Sequence, residues 1–399
     1  MTTLTETRLE PRSSVWGRFV AKVEAGTPPD RDRAIDGLRA LAILGVVVGH
    51  FLVMAQTVDS GHALRVTSPL IHLPAFAPVS WVLQMLGLFF LVGGYSAAKS
   101  WARADDYRTW VGRRMVRLVR PVAVVVAVLS IAIPLLRLAG VPAGTLRTTV
   151  VLVVQPLWFI GIYAVITALT PVAVAMTRRL GAWAAVPGLV VVAGVDVLRY
   201  GPWHDAMPGW LGLVNLLPGW SFAYLLGAAW GQGRIGRRGA TLLAAGGGAL
   251  LLLLVLRLGY PASMVGVPGT GRTNAHPPSL LVLALAACQS GLAILAHDRL
   301  GALLRRRPGL WAAVALANLS AMTIFCWHQV ALMTLSGGAL ALAPGELPGL
   351  HNAPVDLGWV LDRLAWLPVY VTVLAGYVLV ARRFESPVRK GGRRAVRAR

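Results

Sequence analysis

Residues 31–50 read Arg-Asp-Arg-Ala-Ile-Asp-Gly-Leu-Arg-Ala-Leu-Ala-Ile-Leu-Gly-Val-Val-Val-Gly-His, and Phe-Leu-Val-Met follows. After Arg39 the chain turns continuously apolar, and His50 interrupts the run without ending it. At 1.5 Å per residue, about 20 such residues cross a hydrocarbon core about 30 Å thick. Comparable stretches recur to Ala381. They predict helices over 34–56, 79–98, 118–138, 148–177, 182–198, 209–230, 240–258, 279–297, 311–341 and 359–381. The composition agrees: of 399 residues 56% are hydrophobic and 14% charged, against about a quarter charged in soluble domains. The expected fold is all-α, a polytopic integral membrane bundle of about ten transmembrane helices. It divides into an N-terminal tail (1–33), a membrane domain (34–381) and a basic tail (382–399), with no internal repeat.

The net charge of +22 raises nucleic-acid binding, but its distribution points elsewhere. Basic residues cluster between alternate apolar runs: Arg103 to Arg120, Arg178-Arg179, Arg234 to Arg238, Arg305 to Arg307, and Arg382 to Arg399. Short basic connections stay in the cytoplasm, so these segments and both termini are expected there. Ten crossings return the C-terminus to that side. The lipid bilayer is therefore the expected partner, and no nucleic acid is. The polar start is not a secretory signal, because the first apolar run is too long and lacks a cleavage site. Cys288 and Cys326 lie within apolar runs and read as small core residues, with no metal implied. Arginine far outnumbers lysine, found only at Lys22, Lys99 and Lys390, as in GC-rich bacterial genomes. The expected location is a bacterial cytoplasmic (inner) membrane.

Chemistry concentrates on the first helix. Arg39 and His50 are eleven positions apart, about three turns plus 20°, so they share a face about 16 Å apart along the axis. Ionisable groups within a span are costly and count as functional candidates, and histidine suits proton transfer near neutral pH. The plainer reading has His50 bonding a neighbouring helix and Arg39 snorkelling to lipid phosphates. A second constellation, Asn318-Leu-Ser-Ala-Met-Thr-Ile-Phe-Cys-Trp-His328-Gln329, is either a polar site or helix-to-helix glue. A third, Arg113, Arg114, Arg117 and Arg120, is either a topology signal or a phosphate patch at the cytoplasmic mouth, since guanidinium forks match phosphate oxygens. Gly266-Val-Pro-Gly-Thr-Gly-Arg-Thr273 approaches a P-loop, but it has Arg for Lys, lacks a preceding strand and is expected outside. Nucleotide binding there is rejected.

At these residues the chain resembles the acyltransferase-3 family of bacterial membrane O-acyltransferases. Ile35-Asp-Gly-Leu-Arg-Ala-Leu-Ala-Ile with His50 is similar to its first-helix signature, including Arg-x10-His. Gly87-Leu-Phe-Phe-Leu-Val-Gly-Gly-Tyr95 resembles its second-helix motif, with Gly93 where many members have Ser. Arg113-Arg-Met-Val-Arg117-Leu-Val-Arg-Pro121 resembles its Arg-rich start of the third helix. Leu157-Trp158-Phe159, Trp327-His328 and Phe384-Glu-Ser-Pro387 match later landmarks. The resemblance spans about residues 31–387. It implies transfer of an acyl group, acetyl first among the candidates, from cytoplasmic acyl-CoA to a hydroxyl on a glycan, glycolipid or secondary metabolite. It also implies that His50 is essential. On that reading His50 and Arg39 are catalytic, and Arg114 and Arg117 hold the phosphates of acyl-CoA. Asp36, Trp158, Asn318, Trp327 and His328 form a supporting polar site. The competing class is a transporter or flippase for a small molecule or lipid-linked glycan, which also buries polar residues but does not consume acyl-CoA.

Overall fold

The computed structural model describes residues 14–269, 272–343 and 345–385. The first 13 residues, most of the expected basic tail, the Ser386-Pro387 landmark and Gly271 of the rejected loop lie outside the described residues. The helices are α1 (Val15–Ala25), α2 (Arg33–Val53), α3 (Val79–Leu83), α4 (Leu86–Trp101), α5 (Tyr107–Leu138), α6 (Ala143–Val154), α7 (Trp158–Ala168) and α8 (Thr170–Leu180). They continue as α9 (Val186–Tyr200), α10 (Leu216–Gly231), α11 (Arg237–Arg257), α12 (Leu280–Arg306), α13 (Pro308–Leu319), α14 (Ala321–Leu342), α15 (Leu357–Ala365) and α16 (Leu367–Glu385). Strands β1 (Ala55–Val58) and β2 (Leu64–Thr67) form an antiparallel hairpin. Among the described residues ten helical stretches are long and apolar enough to span a membrane, from Arg33–Val53 to Leu367–Phe384. The chain is an all-α, multi-pass membrane protein.

Several helix limits differ from expectation, each for a local reason. α2 stops at Val53 because Ala55 enters the hairpin. The third span begins at Tyr107, capped by the Asp106 carboxylate accepting from the Thr109 amide at 2.7 Å. The arginine cluster is therefore helical, not a loop. The expected 148–177 helix is interrupted at Gln155–Leu157, where Pro156 sits, and again at Leu169. The expected 311–341 helix breaks at Ser320. There Asn318 sends its amide to the carbonyls of Val314 (2.9 Å) and Asp36 (2.8 Å), the competition with helical bonding that short polar side chains offer. The expected 359–381 helix splits into α15 and α16, whose first turn carries Pro368.

α2 sits at the centre, with α4, α12, α13 and α14 packed around it. The closest helix pairs meet through glycine. A methyl on Gly94 of α4 would overlap the Tyr224 carbonyl of α10, and one on Gly247 of α11 would collide with Ala284 and Cys288 of α12. Without a hydrophobic drive between helices in lipid, such close backbone approach supplies the packing energy.

Candidate active site

The two polar constellations face each other. His50 of α2 and His328 of α14 stack with ring centroids 5.0 Å apart, and Nδ1 of His50 lies 2.8 Å from Nε2 of His328. Nδ1 of His328 is 2.5 Å from the Phe325 carbonyl. A carbonyl only accepts, so this nitrogen carries the proton. In the neutral pair Nε2 of His328 must then accept, Nδ1 of His50 donates, and Nε2 of His50 keeps its lone pair. Packing holds this arrangement: His328 is 1% exposed, and Tyr370 of α16 donates to its carbonyl (3.2 Å) while stacking on Phe51 at 4.6 Å.

His50 borders a cavity of about 560 Å³. Leu83, Gln84, Trp158, Phe159, Phe325 and Gln329 line its membrane half. The hairpin, the turns over 68–76 and residues 265–268 and 273–276 roof it, so Gly266, Pro268 and Thr273 of the rejected P-loop serve as wall. Trp158 meets His276 edge to face at 4.3 Å. Burial holds the His276 imidazole well below its ordinary value, at about 4, so it is neutral near pH 7.

The other end of α2 carries an arginine cluster. Asp36, 3% exposed, accepts two bonds from Arg31 (2.5 and 2.9 Å) and one from Arg39 (3.2 Å). Arg39 also donates to Asn318 (3.3 Å) and to Ser96 of α4 (2.8 Å). One turn along α4, Ser100 accepts from Arg114, which lies over the Trp110 ring at 4.5 Å. Arg39, Asp36, Asn318 and Arg114 thus converge. Arg117, one turn along α5 from Arg114, is exposed, and Trp327 lies away from the cavity, stacked on Tyr377 at 5.1 Å. A Cβ at Gly93 would sit 2.7 Å from the Tyr163 hydroxyl, so Tyr163 fills the space a side chain at this position would need. Between the two polar centres, Ile43 and Val46 of α2 pack against Phe89, Phe159 and Phe325, leaving a void of about 10 Å³.

Sequence reasoning missed two groups. Arg363 of α15 is fully buried and donates to the carbonyls of Phe51 (2.9 Å), Met54 (3.0 Å) and Gly349 (3.0 Å), fixing the end of α2 just past His50. Asp32, the N-cap of α2, accepts from the Ile35 amide (3.2 Å) and from Tyr95 (3.0 Å), and pairs with His297 (3.1 Å). Burial opposes ionisation of its carboxyl, but the His297 and Ile35 bonds prevail and hold it down at about 2. Neither pairing was readable, since each joins residues far apart in the chain.

The fold and site are thus those of a multi-pass membrane protein with a histidine pair beside a cavity and arginines at the opposite end of one helix. The match of residues 32–382 to a family model described as an acyltransferase domain places the chain in the acyltransferase-3 family. It is therefore an acyltransferase for groups other than aminoacyl. No curated protein and no solved structure matches it.

Proposed function

We propose that this enzyme transfers an acyl group, acetyl first among the candidates, from cytoplasmic acyl-CoA to a hydroxyl of a glycan, glycolipid or secondary metabolite at a bacterial cytoplasmic membrane. The observation that carries the reading is the His50 ring, with Nδ1 bonded to His328 and Nε2 left to the cavity. In the reaction the acceptor oxygen attacks the thioester carbonyl carbon while His50 Nε2 takes the hydroxyl proton. The carbon–sulfur bond then breaks, and the imidazolium returns the proton to the CoA thiolate. A transient acyl group on His50 is the covalent variant of the same step. Arg39 and Arg114, with Arg117 beside them, receive the CoA phosphates. The 16 Å from Arg39 to His50 along α2 is of the order of a pantetheine arm's reach, and Phe89, Phe159 and Phe325 must part to admit it.

The test is acyl transfer by purified protein in lipid nanodiscs, using radiolabelled acyl-CoA and cell extract as acceptor. His50→Ala should lose at least about 10²-fold in rate, the contribution of a positioned base, with its melting temperature unchanged. Near-normal turnover by a folded His50→Ala protein overturns the assignment.

A further inference from the structure

The cavity beside His50 is lined by no Asp, Glu, Lys or Arg among the described residues. Most of its wall is apolar: Leu70, Leu73, Phe76 and Val265 from the roof, and Trp158 and Trp359 from the helices are typical. Its second ring nitrogen source, His276, is neutral near pH 7. Several polar side chains on the wall are already engaged. Ser80 donates to Ala77 O and accepts from the Met264 amide, Ser68 accepts from the Leu70 amide, and Thr273 donates to His276 O. Gln329 differs. It borders the cavity next in sequence to His328, is 1% exposed, and neither its amide nitrogen nor its amide oxygen has a partner. A buried amide left without partners is costly, so a group seated in the cavity is the economical way to satisfy it. A charged group seated there would meet no counter-ion, and burying an unpaired charge costs far more than burying a neutral hydroxyl.

We infer that the acceptor is a neutral, largely apolar molecule bearing a hydroxyl, held in this cavity with the hydroxyl between His50 and the Gln329 amide. This rests on the acyltransferase reading of the site and narrows it, setting aside charged glycans. The volume of about 560 Å³ falls in the range of small-molecule sites. It suits the hydroxyl-bearing part of a hydrophobic metabolite or uncharged lipid. Gln329 contributes both hydrogen-bonding senses: its oxygen accepts from the acceptor hydroxyl, or its nitrogen donates to the oxygen that gains charge as the carbonyl is attacked.

The experiment incubates the nanodisc enzyme with a panel of acyl-labelled CoA thioesters, from acetyl to palmitoyl, and total extract of the producing cells. Products are partitioned between chloroform–methanol and water, and then passed over anion and cation exchangers. Label should appear, dependent on His50, in the organic fraction that both exchangers let through. A His50-dependent labelled product, separated from acyl-CoA, that stays in water or binds an exchanger overturns the inference while leaving the acyltransferase reading intact. No His50-dependent labelled product in any fraction overturns the acyltransferase reading itself and the inference with it. Gln329→Leu, with its melting temperature checked, should lower kcat/KM for the labelled acceptor by about tenfold, the worth of one hydrogen bond, with KM for acyl-CoA unchanged. An unchanged acceptor kcat/KM in that variant removes Gln329 from the site.

Discussion

Every neutral imidazole carries one ring lone pair, and a partner on the other nitrogen fixes where it points; here the Phe325 carbonyl sets the tautomers of both rings through His328. In the proposed mechanism His328 is a positioning residue, which yields a specific expectation. His328→Phe keeps a ring but removes the acceptor, so kcat should fall by about 10²-fold while KM for both substrates stays put. His328→Gln should recover part of the loss, because its amide oxygen can accept from His50 Nδ1. If the Phe and Gln variants are equally impaired, the hydrogen bond is not what matters. At the far end of α2, where Arg114 of α5 joins Arg39, Arg114→Ala should raise KM for acyl-CoA by about 10- to 100-fold, the worth of a charge-assisted contact of roughly 1.5–3 kcal/mol. Arg117→Ala, removing an exposed side chain, should have the smaller effect; the opposite ranking would reassign the phosphate contact. The shared face of Arg39 and His50 was legible because helical geometry follows from spacing alone. Their partners were legible only as a second polar run. Which of its residues would meet which depended on α13 and α14 lying alongside α2, a tertiary fact.

At the scale of elements, spans were easy to read and interruptions hard. Hydropathy registers 20 apolar residues, but a break such as Ser320 is decided by where the Asn318 amide finds carbonyls. The hairpin did leave a local trace. Leu64 to Thr67 alternates apolar and polar residues after the turn Asp59-Ser-Gly-His62, and Asp59 accepts from the amides of Gly61 and Ala63, both at 2.9 Å. Its Pro-, Gly- and His-rich surroundings masked that pattern. Arg363 was passed over because it stands near the start of the expected 359–381 helix, where an arginine reads as a span-end charge snorkelling to the interface. Yet the last carbonyls of a helix lack intrahelical donors, and Arg363 supplies them to the end of α2. Arg363→Met should therefore destabilise the protein by about 3 kcal/mol, roughly 1 kcal/mol for each of three carbonyls left without a donor. Arg363→Lys should recover little, because a point charge cannot reproduce three divergent N–H bonds. Thermal unfolding in detergent measures this, and a wild-type midpoint for Arg363→Met would show that water replaces the guanidinium.

At the scale of the molecule, ten spans among the described residues would set the start of α2 and the end of α16 on one face, and the exposed side chains of the spans are those lipid would cover, such as Leu242, Leu256 and Ile131. Which face is cytoplasmic is set by charge. The basic segments Arg103 to Arg120, Arg178-Arg179, Arg234 to Arg238 and Arg305 to Arg307, at helix ends and the turns beside them, alternate along the chain with connections that carry few basic residues, and basic segments resist translocation. The arginine end of α2 should face the cytoplasm and the roofed His50 cavity the outside. Substituted-cysteine labelling tests this in a background lacking Cys288 and Cys326. Ser60 is exposed in the hairpin turn, and Gly236 lies in the short connection before α11 with open space around it, so neither cysteine should disturb packing. A membrane-impermeant maleimide should label Ser60→Cys in intact cells and Gly236→Cys only after permeabilisation. The reverse pattern would do more than invert the drawing. It would set Arg39 and Arg114 in a compartment without acyl-CoA, and the proposed path of the acyl group along α2 would lose its source.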